Sequence, residues 1–373
     1  MESFPESGAV SGNRSAVRDL SETMERGTKP AVLVTGGAGY IGAHTAKALY
    51  ERGFLPVVFD NLSTGFREAV RWGPLVHGDI RDRAALTEAI EAHGVKSVIH
   101  FAGLIEVGRS VARPDLFWEV NVAGTARLLS VMRERRLERL VFSSSAAVYG
   151  EGGRGALQTL SEDAEKAPAS PYGDTKLAAE WMIRAQCRAY GLSAVALRYF
   201  NAAGADPSGS IGEAHEPETH LIPLAIAAAL GDGAPLTVFG REFDTPDGTC
   251  LRDYIHVSDL ATAHVAALEV PLTAGAFEPV NVGCGQGRSV LEVIEAVGRA
   301  AGRPVPHSIG APRAGDPASL VADPSRAREL LGWAPERSSL DAIVADAMRW
   351  ESSPAYGAGL RGFRGRGKSR IAA

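Results

Sequence analysis

A glycine-rich turn directly after a short apolar run constrains the fold of this chain more than any other feature. Residues 31–34 read AVLV, and TGGAGYIG follows at 35–42, with Gly36, Gly39 and Gly42 in GxxGxxG spacing and an overlapping GxGxxG. Glycines at a strand–helix junction let the backbone approach a pyrophosphate, whose charge meets free N–H groups at the start of the helix. The turn therefore predicts a dinucleotide site in the first βα unit.

Further apolar runs continue the alternation that this unit begins. They lie at 56–60, 97–101, 139–143 and 194–200, and helical stretches such as 41–52 and 116–135 separate them. Continuous apolar strands are buried on both faces, and intervening helices permit parallel pairing. We therefore expect an α/β fold: a Rossmann-type doubly wound parallel sheet with a smaller α/β substrate-binding lobe.

The places where this regularity begins and ends predict the division of the chain. Residues 1–30 have no apolar periodicity and indicate a mobile extension. We expect the Rossmann domain at 31–200 and a substrate lobe at 201–350, with part of 254–283 returning to the first domain. Residues 351–373 form a basic, glycine-rich tail, to which we assign no function.

Charge and cysteine content narrow the class of partner. The net charge is −5, and five basic residues near the C-terminus (Arg361, Arg364, Arg366, Lys368 and Arg370) contribute +5, so the rest of the chain carries −10 and a nucleic-acid surface is disfavoured. No apolar run approaches the roughly 20 residues that cross a bilayer, so no membrane partner is expected. The three cysteines are widely spaced, which suits a reducing compartment. We expect a cytoplasmic protein and assign no metal site.

An acidic residue ends the second apolar run, 18 positions after Gly42. The Asp60 carboxylate at this register accepts hydrogen bonds from the adenosine ribose hydroxyls and repels a 2′-phosphate. The alternative role of Asp60 is to initiate the turn in DNLSTG. Its register with the glycines favours NAD over NADP.

A Tyr–Lys pair supplies the candidate catalytic chemistry. Tyr172 and Lys176 are spaced i, i+4 in SPYGDTK, so one helix face presents both to the same ligand. We expect the Lys176 ammonium to lower the pKa of the phenol and make Tyr172 a usable base. Ser143, Ser144 and Ser145 follow an apolar strand at the edge where Rossmann ligands bind, and Ser145 is the best placed of them.

Nine segments, taken in order, resemble the UDP-glucose 4-epimerase family of extended short-chain dehydrogenases/reductases. They are TGGAGYIG, DNLSTG, GDIRD, VIHFAGL, NVAGT, FSSSAAVYG, SPYGDTK, LRYFNAAGA and RDYIHVSDLA, and the resemblance spans about residues 31–350. The glycines and YxxxK are common to the whole superfamily, so the later segments carry the narrower assignment.

The resemblance implies a set of ligand contacts. Beyond the glycines, those to NAD are Tyr40, Ile41, Asp60, Asn61, Leu62, Ser63, Thr64, Gly65, Asp79, Ile80, Phe101, Ala102, Gly103, Leu104, Ile105, Asn121, Tyr172, Lys176 and Phe200. Those to a UDP-sugar are Ser145, Tyr172, Asn201, His220, Leu221, Thr237, Val238, Phe239, Arg252, Arg313, Asp316 and Leu320. It also implies a homodimer that pairs the helices at 116–135 and 172–190.

The implied reaction inverts a sugar carbon with no net redox change. Tyr172 takes the proton of the C4 hydroxyl, Ser145 orients that hydrogen bond, and hydride passes to tightly bound NAD. The resulting 4-keto sugar turns about its pyrophosphate linkage and receives the hydride on its other face. Two positions depart from relatives: Ile105 replaces a lysine beside the cofactor, and Leu320 stands where residue size governs acceptance of N-acetylated sugars.

Other functions compete with this interpretation. Nucleotide-sugar dehydratases usually carry Asp-Glu after the active-site Ser or Thr, whereas this chain has Ala146 and Ala147, which transfer no protons. A UDP-uronic acid epimerase would require a cation near the sugar carboxylate, a role open to Arg109. UDP-N-acetylhexosamine epimerisation and a non-catalytic NAD-sensing protein are the remaining alternatives.

Overall fold

The computed structural model describes residues 29–151, 159–215, 217–313 and 316–353. The predicted N-terminal extension and basic tail lie almost entirely outside these residues. The strands are β1 (Ala31–Thr35), β2 (Leu55–Asp60), β3 (Leu75–His77), β4 (Ser97–His100), β5 (Arg139–Ser143), β6 (Ser193–Tyr199), β7 (Asn201–Ala203), β8 (Leu236–Phe239), β9 (Leu251–His256), β10 (Phe277–Val282), β11 (Gly287–Ser289), β12 (His307–Gly310) and β13 (Ser319–Leu320).

Helices connect most of these strands. They are α1 (Tyr40–Glu51), α2 (Arg83–Ala92), α3 (Val107–Ala112), α4 (Pro114–Phe117), α5 (Gly124–Glu134), α6 (Pro171–Tyr190), α7 (Leu221–Leu230), α8 (Val257–Glu269), α9 (Val290–Ala301), α10 (Ser325–Leu331) and α11 (Leu340–Glu351). Short 3-10 turns lie at Arg67–Ala69 and Ala146–Tyr149. Within the described ranges, no helix is both long enough and apolar enough to cross a membrane.

The central sheet has seven parallel strands in the order β10-β6-β5-β4-β1-β2-β3. The direction of strand crossover reverses between β1 and β4, and helices cover both faces, so the apolar strands predicted from the sequence are buried as expected. The predicted Rossmann-type α/β fold is confirmed. The carboxyl ends of β1, β4 and β5 consequently meet at one edge of the sheet.

Part of the later chain returns to this sheet. Helix α8 packs against α1, and β10 pairs with β6 in parallel, with Val280 opposite Leu197. Strands β7, β9, β11 and β13 instead form a second sheet, and β8 pairs with β12. A separate apolar core built from α7, α9 and α11 supports these smaller sheets.

The stretch predicted as one helix at 116–135 is interrupted. A wider π-helical segment, Trp118–Ala123, joins α4 to α5. Asn121 within it is buried, and its amide reaches across to the loop that follows β4. Single π-turns of this kind often occur where a helix residue serves a site.

Candidate active site

Two positions of the glycine turn between β1 and α1 have no room for a side chain. Gly36 has φ +72°, and a Cβ there would lie 2.6 Å from the Ala102 nitrogen. A Cβ at Gly42 would collide with the Gly36 carbonyl oxygen. Gly39 is the N-cap of α1, and neither a capping side chain nor a first-turn acid is found there among the described residues. The helix N–H groups are thus left for an anion, which fits a dinucleotide pyrophosphate.

Asp60 lies beside this turn at the end of β2. Its Oδ2 accepts a hydrogen bond from the Ala38 nitrogen at 3.0 Å, and its Oδ1 accepts one from the Leu62 nitrogen at 2.8 Å. Burial raises the pKa of Asp60, and the two backbone bonds oppose that rise. A carboxylate has lone pairs beyond these two, so Asp60 keeps acceptor capacity for ribose hydroxyls.

The loop after β2 packs around the same turn. A Cβ at Gly65 would lie 2.9 Å from Ala38, which shows how closely this part of the 61–65 loop covers the glycines. Asn61 accepts from the Ser63 nitrogen at 3.0 Å and donates to Asp79 Oδ2 at 3.0 Å. Leu62 has φ 58°, a left-handed conformation. Thr64 belongs to this loop.

Asp79 and Ile80 follow β3. A two-pronged hydrogen bond from Arg81, with both N···O distances 2.8 Å, holds the pKa of Asp79 well below its usual range. Asp79 is therefore a fixed negative charge. Ile80 is buried, and a Cβ at Gly124 would lie 2.7 Å from its side chain.

Asn121 holds the loop at 101–105 in place. Its Oδ1 accepts from the Leu104 nitrogen at 2.8 Å, and its Nδ2 donates to the Leu104 carbonyl oxygen at 3.0 Å and to Thr175 Oγ1 at 3.1 Å. Phe101, Ala102 and Gly103 precede this point, with Gly103 beside Asn121 Oδ1. The Ile105 side chain, which replaces a lysine of relatives, is 40% exposed.

Ser145, Tyr172 and Lys176 come together where β5 ends. Tyr172 and Lys176 are 7% and 4% exposed, and Ser145 is partly buried. Lys176 Nζ donates to the Ser143 carbonyl oxygen at 2.8 Å and lies 5.8 Å from the ring centre of Tyr172. The predicted triad thus shares one location, at the same edge of the sheet as the glycine turn.

The charge state of this group differs from the sequence expectation. Burial raises the pKa of Tyr172, opposed only in part by a hydrogen bond with the Ser145 side chain. Burial also lowers the pKa of Lys176 to about 8, with Glu180 opposing that shift. The expected lowering of the Tyr172 pKa by Lys176 is therefore wrong for the protein alone, because desolvation is the larger effect and Lys176 hydrogen-bonds the Ser143 carbonyl.

Strand β8 presents alternate side chains to solvent. Thr237 and Phe239 are exposed, whereas the Val238 side chain is 2% exposed and packs in the core of the smaller sheets. Val238 can therefore contact a ligand only through its main chain. The Arg313 guanidinium lies 4.0 Å above the Phe239 ring, a cation–π stack that makes a flat, positively charged surface.

Arg252 on β9 is fixed by neighbouring carbonyl groups. It donates to Leu251 and Pro317 oxygens at 2.8 and 2.9 Å and forms an ion pair with Asp316. Arg252 does not pair with the adjacent Asp253, because the Asp253 carboxylate is buried and accepts backbone N–H groups instead.

The remaining predicted contacts fall in two places. Leu320 on β13 is paired with Arg252 and shares an apolar cluster with Phe200 and Ala146, at the edge where β5 ends. Asn201 begins β7 directly after Phe200. His220 is the N-cap residue of α7, and Leu221 is the first residue of that helix. The Nδ1 atom of His220 pairs with Glu213 and Glu218.

Comparison of the chain with known proteins identifies its family. A family model described as the NAD dependent epimerase/dehydratase family matches residues 32–283. The chain belongs to this family.

Individual members of the epimerase/dehydratase family resemble the chain over nearly all of their length. A UDP-glucose 4-epimerase of Halalkalibacterium halodurans is 47% identical over 327 residues, which cover 88% of this chain and 97% of that protein. The crystal structure of a UDP-glucose 4-epimerase from Brucella ovis in complex with NAD is 51% identical, covers 86% and 97% of the two chains, and has a TM-score of 0.82. The Bifidobacterium longum enzyme in complex with NAD+ and UDP is 37% identical with the same TM-score, and the match covers 87% and 99% of the chains.

Sequence reasoning missed two buried polar networks of this epimerase/dehydratase chain. In the first, Thr35 Oγ1 and Thr125 Oγ1 bind the two ring nitrogens of His100 at 2.7 and 3.0 Å, linking the ends of β1 and β4 to α5. Burial lowers the pKa of His100 to about 3, so the ring is neutral. The sequence signal that could have revealed this network is the polar residue at the end of each of two strands, Thr35 of β1 and His100 of β4.

The second network lies behind the catalytic residues. Arg198 forms a two-pronged bond to Glu180 at 2.9 and 2.6 Å, and Ser144 Oγ donates to Glu180 Oε1 at 2.6 Å. Tyr149 receives a further bond from Arg198 at 2.9 Å. These bonds tie β6 to α6, the helix that carries Tyr172 and Lys176.

Proposed function

We propose that this protein interconverts UDP-galactose and UDP-glucose by transient oxidation of the sugar at C4, with NAD retained through turnover. The observation that carries the proposal is the convergence of Ser145 with the buried Tyr172 and Lys176, at the same sheet edge as the glycine turn. The names of the relatives support the choice of substrate, and the bound NAD and UDP of the Bifidobacterium longum structure support the ligands.

The residues around the glycine turn suit NAD. The uncapped start of α1 faces the position of a pyrophosphate, and Asp60 has spare acceptor capacity for the ribose. A negative Asp60 beside that ribose disfavours the 2′-phosphate of NADP. When bound, NAD supplies the acceptor and donor of the C4 hydride.

Tyr172 moves the proton in this proposal. Its phenol oxygen exchanges the proton of the C4 hydroxyl, and Ser145 orients the bond. Burial keeps Tyr172 protonated in the protein alone, so the base form depends on positive charge assembled around it. Lys176 contributes such charge from its anchored position.

The UDP moiety is proposed to bind between the sheet edge and the smaller sheets. Arg313, stacked on Phe239, and Arg252 suit the pyrophosphate because guanidinium groups pair with its oxygens in a two-pronged geometry. Asn201, His220, Leu221, Thr237, the Val238 main chain and Asp316 are the other proposed contacts. Leu320 adjoins the sugar, where we propose that its size limits the substituents accepted.

We further propose that the protein is a homodimer. Trp118 and Trp181 are 43% and 60% exposed on the two helical stretches expected to pair, and Val111 nearby is 65% exposed. Clustered exposed aromatic and aliphatic side chains mark interaction surfaces. Replacing Trp181 with Glu should halve the mass measured by light scattering, whereas Tyr50→Glu on a different helix should leave it unchanged.

The organisation of the chain is proposed as two lobes, 31–200 with the returning α8 and β10, and 201–350. We place the protein in the cytoplasm, since its three cysteines are free.

The deciding experiment measures conversion of UDP-galactose to UDP-glucose without added NAD, followed by chromatography. UDP-N-acetylgalactosamine and UDP-galacturonate are run in parallel, which tests the N-acetylhexosamine and uronic acid alternatives. Turnover of UDP-galactose with co-purified NAD supports C4 epimerisation. Bound NAD with no turnover of the three sugars would contradict the proposal.

A further inference from the structure

Four side chains with metal-binding atoms converge in the segment that leads into α7. They are Glu213, His215, Glu218 and His220, and one ligand atom from each lies within 4.8 Å of all the others. The sequence does not place them in a familiar metal motif, and no step of the proposed reaction uses the cluster as a unit.

The distances within the cluster match a small coordination sphere. His220 Nδ1 is 2.9 Å from both Glu213 Oε1 and Glu218 Oε1, and His215 Nδ1 is 3.2 Å from Glu213 Oε1 and 3.9 Å from Glu218 Oε2. Metal–ligand bonds of about 2.0–2.2 Å in a tetrahedron separate the ligand atoms by roughly 3.3 Å. The four side chains therefore need only small shifts to surround one ion.

Two of the ligand atoms have no hydrogen-bond partner among the residues that the structure describes. They are Glu218 Oε2 and His215 Nδ1, both buried from solvent. The Glu218 side chain is 6% exposed, and Glu213 is 5% exposed. Burying a carboxylate oxygen without a partner costs free energy, which a cation between the four groups would recover.

We propose that Glu213, His215, Glu218 and His220 bind a divalent first-row transition metal, for which Zn²⁺ is the best-fitting ion. Two imidazole nitrogens and two carboxylate oxygens suit Zn²⁺ in a closed tetrahedral site, whereas Mg²⁺ and Ca²⁺ prefer oxygen ligands in larger spheres. Four protein ligands make the site structural.

The position of the site indicates a structural role for the ion. The His215 ring meets the Tyr40 ring edge-on, with 6.3 Å between ring centres, and Tyr40 donates to the Gly204 carbonyl oxygen at 2.6 Å. Tyr40 is also the first residue of α1. An ion at the cluster would thus fix the start of α7 next to the start of the helix proposed to hold NAD.

The test uses the full chain without an added histidine tag. Zn²⁺ is titrated by calorimetry into chelator-treated protein at pH 7.5. We expect one equivalent to bind, and elemental analysis of untreated protein to find a transition metal in similar ratio. Absence of saturable one-to-one binding would overturn the proposal.

Variants locate the site independently of enzymatic activity. Glu218→Gln and His215→Gln should each weaken Zn²⁺ binding by more than about tenfold, since even second-shell changes at metal sites cost 10- to 100-fold. His307→Gln, an exposed histidine on β12, serves as the matched control and should bind as the wild type does. Zn²⁺ should raise the melting temperature of the wild type and the control but not of Glu218→Gln. Equal affinity in Glu218→Gln and the wild type would place the metal elsewhere and contradict the proposal, whether or not the protein is an epimerase.

Discussion

Lys176 Nζ donates to the Ser143 carbonyl oxygen at 2.8 Å, which anchors the lysine of α6 to the end of β5. The same ammonium lies 5.8 Å from the ring centre of Tyr172. Because the lysine is buried, its positive charge is held in place rather than solvated. The cost of burying that charge appears in its pKa, which burial lowers to about 8.

This buried charge makes stability depend on pH. Below about pH 8 the lysine is protonated in both the folded and the unfolded chain, and the folded state carries the full cost of burying the charge. Between pH 8 and its unfolded pKa of about 10.4, the folded chain has lost a proton that the unfolded chain retains, so stability rises. Relative to Lys176→Met, the wild type should gain on the order of 3 kcal/mol across this window.

Urea unfolding of both proteins at pH 7, 8, 9 and 10 measures this difference. Lys96→Met, outside the site, should show no such divergence from the wild type. A gap between wild type and Lys176→Met that stays constant with pH would show that the lysine does not titrate there.

Replacing Tyr172 by Phe removes the proposed base without removing the ring. We expect kcat to fall by about 10²- to 10⁴-fold, the usual contribution of general acid–base catalysis, with UDP affinity unchanged. Calorimetry with UDP and a UDP-galactose assay measure the two effects. Tyr50→Phe on the exposed face of α1 should keep wild-type activity, and a Tyr172→Phe enzyme with near-normal kcat would contradict the mechanism.

Local sequence patterns predicted those parts of the site whose residues are close in sequence. The GxxGxxG pattern predicted a turn in which the backbone leaves no room for side chains. In the structure, a Cβ at Gly36 or Gly42 would collide with backbone atoms. The i, i+4 spacing of Tyr172 and Lys176 places both on one helix, and that helix forms over Pro171–Tyr190. Apolar runs likewise predicted five of the six strands that residues 31–200 contribute to the central sheet, whereas the short edge strand β3 (Leu75–His77) was missed.

Features that join distant segments could not be predicted in this way. Arg198 and Glu180 are an ion pair only because β6 and α6 pack together, and neither residue has a distinctive neighbour in sequence. The direction of the Tyr172 pKa depends on how much water the fold excludes, which spacing does not reveal. The π-helical segment at Trp118–Ala123 follows from contacts of Asn121 with the loop after β4.

The Arg198–Glu180 pair should be essential for stability. Both side chains are at most 1% exposed, so removing one charge leaves the other buried and uncompensated. Glu180→Gln should lower the free energy of unfolding by about 3–5 kcal/mol. Asp341→Asn, which breaks the exposed pair with Arg299, should cost at most about 1 kcal/mol. Equal losses in the two variants, measured by urea unfolding, would contradict the special role of burial.

The size of residue 320 should set substrate breadth. Leu320 is partly buried in a cluster with Phe200 and Ala146 and is paired with Arg252, so a larger side chain would project toward the proposed sugar position. Leu320→Tyr should reduce conversion of UDP-N-acetylgalactosamine about 5- to 150-fold more than that of UDP-galactose, since overpacking costs about 1–3 kcal/mol. Leu320→Ala should shift the ratio the other way, and Ile309→Ala on the exposed face of β12 should leave it unchanged. Ratios of kcat/KM for the two sugars measure the effect, and a ratio that does not respond to residue 320 would mean that other residues select the sugar.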